Sequence, residues 1–423
     1  MNSRLPRVLY ALLGLPALPL ALLRLVWRAR RQPAYLAHVD ERLGRYHPPA
    51  LGKTIWVHAV SVGETRAAEP LVRAILAHWP DHRIVLTTMT PTGRETAQSL
   101  FGGEARVASV YLPYDMGLFV RRFLDHFRPA FGVIMETELW PTLLAQCQAR
   151  GIPVLLANAR LSARSAGRYA RWPSLTQLTL GALTMIGSQT EEDGQRLAAL
   201  GARAVITTGN IKFDIAPPAQ LQTLGEHFRA RIGQRPVLLL ASSRDGEEAL
   251  VIDAFAQQAD ASTLLVIVPR HPQRFDAVAQ LAGARGMRLQ RRSDEDAIEA
   301  ATRVWLGDSM GEMFAYYACA DVALIGGSWL PFGGQNLIES CAVGTPVVIG
   351  PHTWNFTQVA EQAVAADAAL RADDAAAGVR LALALLADPD ERASRSQACR
   401  SFATAHTGAT QRTLALIEAM LRA

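Results

Sequence analysis

Acidic side chains follow two of the predicted buried strands in the first half of the chain. Glu64 ends the segment SVGE (61–64), between the first predicted strand and its helix, and METELWP (135–141) places Glu136 and Glu138 after an apolar run. A carboxylate at the carboxyl end of a strand can act as general base on a hydroxyl. The alternative for Glu64 is structural, because the helix dipole favours a carboxylate in the first helical turn. A continuing strand would turn Glu136 and Glu138 to opposite faces, so we assign Glu136 to the site and leave Glu138 open.

Two cations follow predicted strands in a similar way. Lys212 lies in GNIKFD (209–214) and Arg270 in VPRHP (268–272). If the reaction releases a phosphate, such cations and backbone amides can neutralise its charge. Exposure to solvent without a specific role is the alternative for each residue taken alone.

The sequence predicts no metal site. It has no DxD pair or acidic triad in a loop that could hold Mg²⁺. Three histidines, His58, His271 and His352, do not share the spacing of metal ligands.

The glycine-rich segment 326–356 is the most informative part of the chain. It contains GGQNLIE and then GTPVVIGPH. Glycines let a backbone approach an anion closely, and a helix N-terminus offers free N–H groups. Glu339 could accept hydrogen bonds from a ribose diol. In the alternative, Asn336 is an N-cap and Glu339 completes a capping box. The whole pattern favours a nucleotide site, to which the amides of DSMGEM (308–313) could contribute.

The elements that must position these residues alternate between apolar strands and helical patterns. We predict strands in the first half over residues 54–62, 83–88, 130–135, 154–157, 182–188 and 204–209. We predict strands in the second half over residues 236–241, 263–268, 288–290, 302–306, 322–325 and 346–349. This alternation is typical of parallel sheets covered by helices on both faces.

The predicted fold is therefore α/β, with two Rossmann-like, doubly wound domains that face a cleft. A segment with two prolines and little periodicity separates them, so we predict domains over residues 31–215 and 216–423. The last helical segment, 391–423, can pack back on the first domain. Ligands bind such sheets at the carboxyl ends of the strands.

Residues 1–30 are predicted to form a hydrophobic membrane anchor. The apolar run 8–27 is about 20 residues long, which is enough to cross a bilayer core. Pro16 and Pro19 weaken a spanning helix, and the arginines within residues 28–31 favour a cytoplasmic position for the rest of the chain. A helix lying on the membrane surface and a signal peptide are the alternatives.

Composition limits the classes of partner and compartment. The net charge of +5 favours an anionic partner such as a nucleotide, a phosphorylated lipid or a phospholipid surface. No nucleic-acid-binding motif or long basic tract is present. The four cysteines form no C-x-x-C pair, and we expect them to be reduced and buried.

Ten segments, in consistent order from about residue 30 to 360, resemble blocks of the 3-deoxy-D-manno-octulosonic acid (Kdo) transferases. They are SVGE, TTMTPTG (87–93), YLPYD (111–115), METELWP, NARLS (158–162), GNIKFD, VPRHP, GDSMGE (307–312), GGQNLIE and GPHTWNF.

The resemblance implies a GT-B fold and an inverting, metal-independent transfer of Kdo from CMP-Kdo, with no cofactor. The implied acceptor is the 6′-hydroxyl of a lipid A precursor, lipid IVA, to which one or more Kdo units are added in lipopolysaccharide biosynthesis. It also implies contact with inner-membrane lipids, catalytic domains on the cytoplasmic side of the inner membrane, and no nucleic-acid partner.

The resemblance also implies roles for single residues. Glu64 would be the general base, and Glu136 and Lys212 would stabilise the transition state. The residues implied in nucleotide binding are Pro269, Arg270, Met310, Gly311, Glu312, Asn336, Leu337, Ile338 and Glu339. The chain departs from the family pattern at Gln335, where histidine is common, and at Ser340, where proline or alanine is common. A glutamine can donate a hydrogen bond but cannot carry a proton charge.

Two other functions remain as alternatives. One is a GT-B transferase or epimerase that uses a UDP-sugar, against which VPRHP and METELWP argue. The other is a non-catalytic, membrane-bound sensor of sugar nucleotides, against which the joint presence of Glu64, Glu136, Lys212 and Arg270 argues.

Overall fold

The structure, a computed structural model, describes residues 5–47, 52–214 and 217–422. The chain divides into two compact units. The first consists of Met1–Asp214 with Thr407–Ala423, and the second is Ile215–His406.

The first unit is built on a parallel sheet. Its strands are β1 (Thr54–His58), β2 (Arg83–Thr88), β3 (Val107–Tyr111), β4 (Pro129–Met135), β5 (Val154–Ala159), β6 (Met185–Ser188) and β7 (Val205–Thr207). Within the described residues the order is β3-β2-β1-β4-β5-β6-β7. All neighbouring strands pair in parallel. The order reverses between β1 and β4, which is the point at which such sheets bind ligands.

Helices cover both faces of this sheet. They are α1 (Leu5–Ala29), α2 (Val39–Arg42), α3 (Val62–His78), α4 (Pro91–Phe101), α5 (Gly117–Phe127), α6 (Pro141–Ala149), α7 (Ala163–Tyr169), α8 (Pro173–Leu180) and α9 (Glu191–Ala199). All five residues of β1 are buried, as expected for a strand covered on both faces. One core forms around Ile55 and Val57, and the other around Trp56 and Phe123.

The second unit repeats this design. Its strands are β8 (Val237–Ser243), β9 (Leu264–Pro269), β10 (Leu289–Arg291), β11 (Val304–Leu306), β12 (Val322–Ile325), β13 (Val347–Ile349) and β14 (Ala369–Arg371). Their order in the described chain is β10-β11-β9-β8-β12-β13-β14, again all parallel. The order reverses between β8 and β12.

The helices of this unit complete a second doubly wound α/β layer structure. They are α10 (Ala219–Ile232), α11 (Glu247–Gln258), α12 (Phe275–Ala284), α13 (Met313–Cys319), α14 (Ile338–Val343), α15 (Thr357–Ala365), α16 (Ala375–Ala387) and α17 (Pro389–His406). Two Rossmann-like units are thus present, as the alternation of apolar strands and helices predicts.

The last helix, α18 (Ala409–Arg422), belongs to the first unit. The Asp214 carboxylate accepts hydrogen bonds from the backbone N–H of Gly408 and of Thr410, both at 2.5 Å. Leu416 and Ile417 lie in the same core as β1. The start of α18 is therefore held, in space, beside the segment that follows β7, the last strand of the first unit.

Helix α1 makes polar contacts with the rest of the first unit. Arg7 donates a hydrogen bond to the carbonyl oxygen of Leu178 at 3.2 Å, and Tyr10 hydrogen-bonds the Asp115 carboxylate. Most of the large apolar side chains that the structure describes on this helix are exposed, among them Leu9, Leu20, Leu23 and Trp27. Among the described residues no single helix passes a length-and-hydropathy test for crossing a membrane. The segments Leu5–Leu12 and Pro16–Ala29, bent by 42°, pass it only as a pair.

Several predicted boundaries differ from the structure. The strand predicted over 54–62 ends at His58, because Val62 already begins α3. The prediction missed the edge strands β3 and β14, although it found the edge strands β7 and β10, which are no more buried. The four cysteines are free and buried, which confirms the expectation for them.

Candidate functional site

Glu64 lies in the first turn of α3, directly after the carboxyl end of β1. Its carboxylate accepts hydrogen bonds from the Val60 N–H at 2.8 Å and from the Ser61 hydroxyl at 2.9 Å. Burial raises the pKa of Glu64, the negative charge of Glu136 adds to that effect, and the two hydrogen bonds and Lys212 oppose it. A carboxylate with a raised pKa is a stronger proton acceptor than a free one. The structural alternative is also present, since the side chain closes the turn that enters α3.

Glu136 and Lys212 form an ion pair at the same edge of the sheet. Lys212 Nζ lies 2.7 Å from Glu136 Oε1, with side-chain exposures of 41% and 26%. Glu136 adopts a left-handed backbone conformation with φ of 56°, while its N–H still donates to the Ala157 carbonyl at 2.9 Å. Strained residues of this kind cluster at functional sites. Because Glu64 follows β1 and Glu136 follows β4, the two carboxylates flank the strand-order reversal.

A hydrogen-bond network holds Lys212 in place. Lys212 lies in a 3-10 turn, Ile211–Phe213, that follows β7. The Asn158 side-chain oxygen accepts from the Ile211 N–H at 3.0 Å, and the Asn210 side-chain oxygen accepts from the Lys212 N–H at 3.0 Å. The segments NARLS and GNIKFD are thus joined at the carboxyl ends of β5 and β7.

Glu138 belongs to the same acidic cluster. The condition under which Glu136 and Glu138 would face opposite sides, a continuing strand, is not met, because β4 ends at Met135 and the chain turns at Glu136. Burial, with the charges of Glu64 and Glu136, raises the pKa of Glu138 to about 7. Three carboxylates that act on one another electrostatically therefore share this edge of the sheet.

In the second unit, β9 ends at Pro269, and Arg270 follows it. Pro269 is buried and ends the strand, whereas Arg270 is exposed and its N–H donates to the Ser243 carbonyl at 3.0 Å. The charge of Arg270 opposes the increase in the pKa of Glu339 that burial causes. Arg270 and Glu339, both predicted to bind nucleotide and 69 positions apart in the sequence, therefore interact electrostatically.

The segment around Asn336 differs from the predicted capping box. The N-cap of α14 is Leu337. Asn336 Oδ1 accepts from the Ile338 N–H at 3.0 Å, and its amide lies 3.4 Å from Glu339 Oε1. The side chains of Leu337 and Ile338 are in the core, so only their backbone atoms are left to contact a nucleotide.

The loop before α13 carries the other predicted nucleotide contacts. Met310 is 53% exposed and Gly311 has φ of 83°. The Glu312 carboxylate accepts from the Ser309 hydroxyl at 2.5 Å and pairs with Arg292 at 3.2 Å. The Glu312 side chain is therefore held in place within this loop.

Sequence reasoning missed two fully buried acids of the second unit, Glu247 and Glu248. Glu247, in the segment SSRDGEE (242–248) after β8, is fully buried. The available signal was the one used for METELWP, since acids directly after a buried strand need partners.

In the described part of the chain, no three His, Cys, Asp or Glu side chains are grouped so that they could hold a metal ion. The expectation of metal-independent chemistry stays a prediction.

Comparisons with known proteins agree on one family. The family model described as 3-Deoxy-D-manno-octulosonic-acid transferase (kdotransferase) matches residues 37–215. A 3-deoxy-D-manno-octulosonic acid transferase from Bordetella pertussis is 46% identical over 387 residues, covering 89% of this chain and 90% of that protein. One from Haemophilus influenzae is 36% identical over 425 residues, covering 98% and 99%.

Solved structures share the fold. A UDP-GlcNAc 2-epimerase from Neisseria meningitidis, bound to UDP-GlcNAc, has a TM-score of 0.55 at 14% identity and covers 88% of this chain and 100% of its own. At this identity the likeness shows the two-unit GT-B-like fold alone.

Proposed function

The chain belongs to the 3-deoxy-D-manno-octulosonic acid (Kdo) transferase family, and on that premise we propose the substrates and chemistry of its transfer reaction. The donor is CMP-Kdo and the acceptor is the 6′-hydroxyl of a lipid A precursor, lipid IVA. The anomeric carbon is inverted and no metal takes part. One or more Kdo units are added in succession.

The observation that carries this proposal is the group of Glu64, Glu136 and Lys212 beside the strand-order reversal of the first unit. The acceptor hydroxyl gives its proton to Glu64 as its oxygen bonds to the anomeric carbon. The bond from that carbon to the CMP phosphate breaks in the same step, and CMP leaves as an anion. Burial favours the neutral form of Glu64, so accepting a proton is favourable there.

Glu136 and Lys212 act on the charges that develop. The anomeric carbon gains oxocarbenium character as the phosphate departs, and the Glu136 carboxylate stabilises that positive charge. Lys212 fixes the Glu136 carboxylate through the 2.7 Å ion pair and supplies a positive charge for the departing phosphate. A pre-formed pair needs little rearrangement at the moment of reaction.

The second unit binds CMP in this proposal. Arg270 lies against the phosphate, and Glu339 accepts hydrogen bonds from the ribose hydroxyls. Its coupling to Arg270 and its hydrogen bond to Asn336 support this assignment. The loop of Met310, Gly311 and Glu312 supplies further contacts.

The charge of the chain and the surface of α1 support the proposed acceptor and location. A net charge of +5 suits a phosphorylated lipid acceptor, and the exposed apolar side chains of α1 suit insertion into a lipid surface. We place the enzyme at the inner membrane with both units on the cytoplasmic side, in contact with membrane lipids and not with nucleic acid.

A thermal-unfolding titration tests the donor assignment. A ligand that binds the folded state raises the Tm. We expect CMP to raise the Tm of the full chain and UDP at the same concentration to leave it unchanged. An increase in Tm with UDP and none with CMP would indicate that the donor is a UDP-sugar and not CMP-Kdo.

A further inference from the structure

Glu247 is a fully buried carboxylate to which the reaction just described gives no role. It is the first residue of α11, has 0% exposure and follows β8 at the strand-order reversal of the second unit. Buried carboxylates need hydrogen-bond partners or paired charges. The partners of Glu247 are all backbone N–H groups.

The four donors come from both sides of the reversal. One is the N–H of Arg244, at 2.8 Å, in the segment after β8. The other three belong to Gly327, Trp329 and Leu330, in the segment after β12, at 2.7, 2.9 and 3.3 Å. We call residues 326–330 the β12 loop. One side chain thus satisfies three backbone donors of the β12 loop, which has no regular secondary structure.

The β12 loop in turn holds two further segments. The Gly327 carbonyl accepts from the Gly334 N–H at 2.7 Å, which places the start of GGQN. The Ser328 carbonyl accepts from the His352 N–H at 3.1 Å, and its hydroxyl accepts from the Gly350 N–H at 2.9 Å. The segments GGQN and GPH are therefore positioned through the loop that Glu247 holds.

Close packing leaves the loop little freedom to compensate. A Cβ on Gly326 would lie 2.5 Å from the Ser242 carbonyl oxygen, so the ends of β8 and β12 touch backbone to backbone. Gly327 has φ of 70° and Ser242 has φ of 54°. For Ser242, which is not a glycine, this conformation is strained and persists only when surrounding contacts impose it.

We propose that Glu247 is a positioning residue for the donor nucleotide. It fixes the β12 loop, and through that loop the segment that carries Asn336 and Glu339. The inference rests on the proposed function, in which those two residues bind CMP. Glu247 itself does not touch the substrate.

Glu247→Gln tests this role with little change of shape. Its amide nitrogen would face a backbone N–H, so that at least one hydrogen bond becomes a contact between two donors. For the full-length protein we expect a dissociation constant for CMP, measured by calorimetry, about tenfold higher or more. The KM for the donor rises by a similar factor, while the KM for the acceptor stays unchanged.

Asp321→Asn is the matched control. Its carboxylate also accepts from the backbone, at 2.8 Å from the Val237 N–H, and pairs with Arg229 at 3.2 Å. It lies between the same two strands but at their opposite, amino-terminal ends. We expect this variant to lower the Tm and to leave the CMP dissociation constant unchanged.

The outcomes separate this inference from the proposed function. Equal CMP affinity for Glu247→Gln and the wild type overturns the positioning role alone. A wild type that does not bind CMP overturns the proposed donor and the positioning role with it. If Glu247→Gln does not fold, Glu247→Asp gives the decisive titration, because it keeps the charge and withdraws the carboxylate by one methylene. Wild-type affinity in Glu247→Asp then overturns the inference, and weaker binding supports it.

Discussion

The Glu64 side chain closes the turn into α3, and in the proposed reaction it is the general base. We predict that Glu64→Gln lowers transfer by about 10²–10⁴-fold, the usual contribution of general acid–base catalysis. The amide can keep a hydrogen bond from Val60 or Ser61 but cannot accept the proton. The CMP dissociation constant should stay unchanged. Steady-state kinetics and calorimetry on the same preparation check both results.

The pH profile adds a readout that a purely structural role would not produce. Burial raises the pKa of Glu64, so kcat/KM should rise with pH through an apparent pKa above the usual range of a glutamate. Glu69→Gln is the control, since Glu69 lies on the same helix in a surface pair with Arg73 and should leave the profile unaltered. Near-normal turnover by Glu64→Gln would remove Glu64 from the base role.

The raised pKa of Glu138 predicts that the stability of the protein depends on pH. Its pKa is about 7 in the folded protein, above the ordinary value, so the folded state binds more protons than the unfolded one at intermediate pH. Its contribution to stability is therefore complete below the ordinary pKa and is lost as pH rises through 7. Glu138→Gln removes this dependence. The free energy of unfolding of the variant, measured relative to that of the wild type, should therefore be higher at pH 8 than at pH 5. Chemical unfolding of both proteins at the two pH values measures these free energies. The same difference between variant and wild type at pH 5 and at pH 8 would contradict the prediction.

The sequence identified candidate residues of the site, but it could not show which residues they contact. SVGE and METELWP identify Glu64 and Glu136 as candidates because acids after buried strands are unusual. The ion pair between Glu136 and Lys212 joins residues 76 apart, and spacing along the chain cannot show it. Glu247 also follows a buried strand, so its type carried the same signal, but its backbone partners could not be read from the sequence.

Among elements, α18 shows how one side chain can hold a returning segment. The Asp214 carboxylate accepts from two free N–H groups at the start of that helix. We predict that Asp214→Ala destabilises the protein by about 0.5–2 kcal/mol, the usual cost of losing an N-cap. Urea unfolding measures the loss, and limited proteolysis should show earlier cleavage before α18.

The control for this prediction is Asp374→Ala, which removes an equivalent cap from α16. It should cost a similar free energy without making the segment before α18 more sensitive to protease. Unchanged proteolysis in Asp214→Ala would show that core contacts alone hold the last helix.

Strands covered on both faces, such as β1 and β9, form uninterrupted apolar runs that are easy to find in the sequence. Edge strands lack such runs and were predicted less consistently: β7 and β10 were found, whereas β3 and β14 were missed.

At the scale of the whole molecule, the exposed apolar face of α1 makes a prediction about membranes. Replacing Leu20, Leu23 and Trp27 together by serine should reduce co-sedimentation with anionic phospholipid vesicles at least several-fold, because apolar burial in lipid is lost. Leu250→Ser, at an exposed position of the second unit, is the control and should bind vesicles as the wild type does. Equal binding by all three proteins would remove α1 from the membrane contact.

The fold class itself could be predicted from the alternation of apolar strands and helices over more than 300 residues. That pattern occurs twice, once in each half of the chain, and few architectures other than two doubly wound sheets are compatible with it. The chemistry could not be predicted in this way, because many functions share this fold. It depended on ordered motifs and on relatives covering nearly the full length.

The identity of the product tests the central claim most directly. Purified full-length protein is incubated with CMP-Kdo and lipid IVA, without added metal and with a chelator, and the lipid is analysed by mass spectrometry. The account predicts lipid IVA carrying one or more Kdo residues, with CMP released in equal number, and at most traces of product from the Glu64→Gln variant. Unmodified lipid IVA with the wild type under these conditions would contradict it.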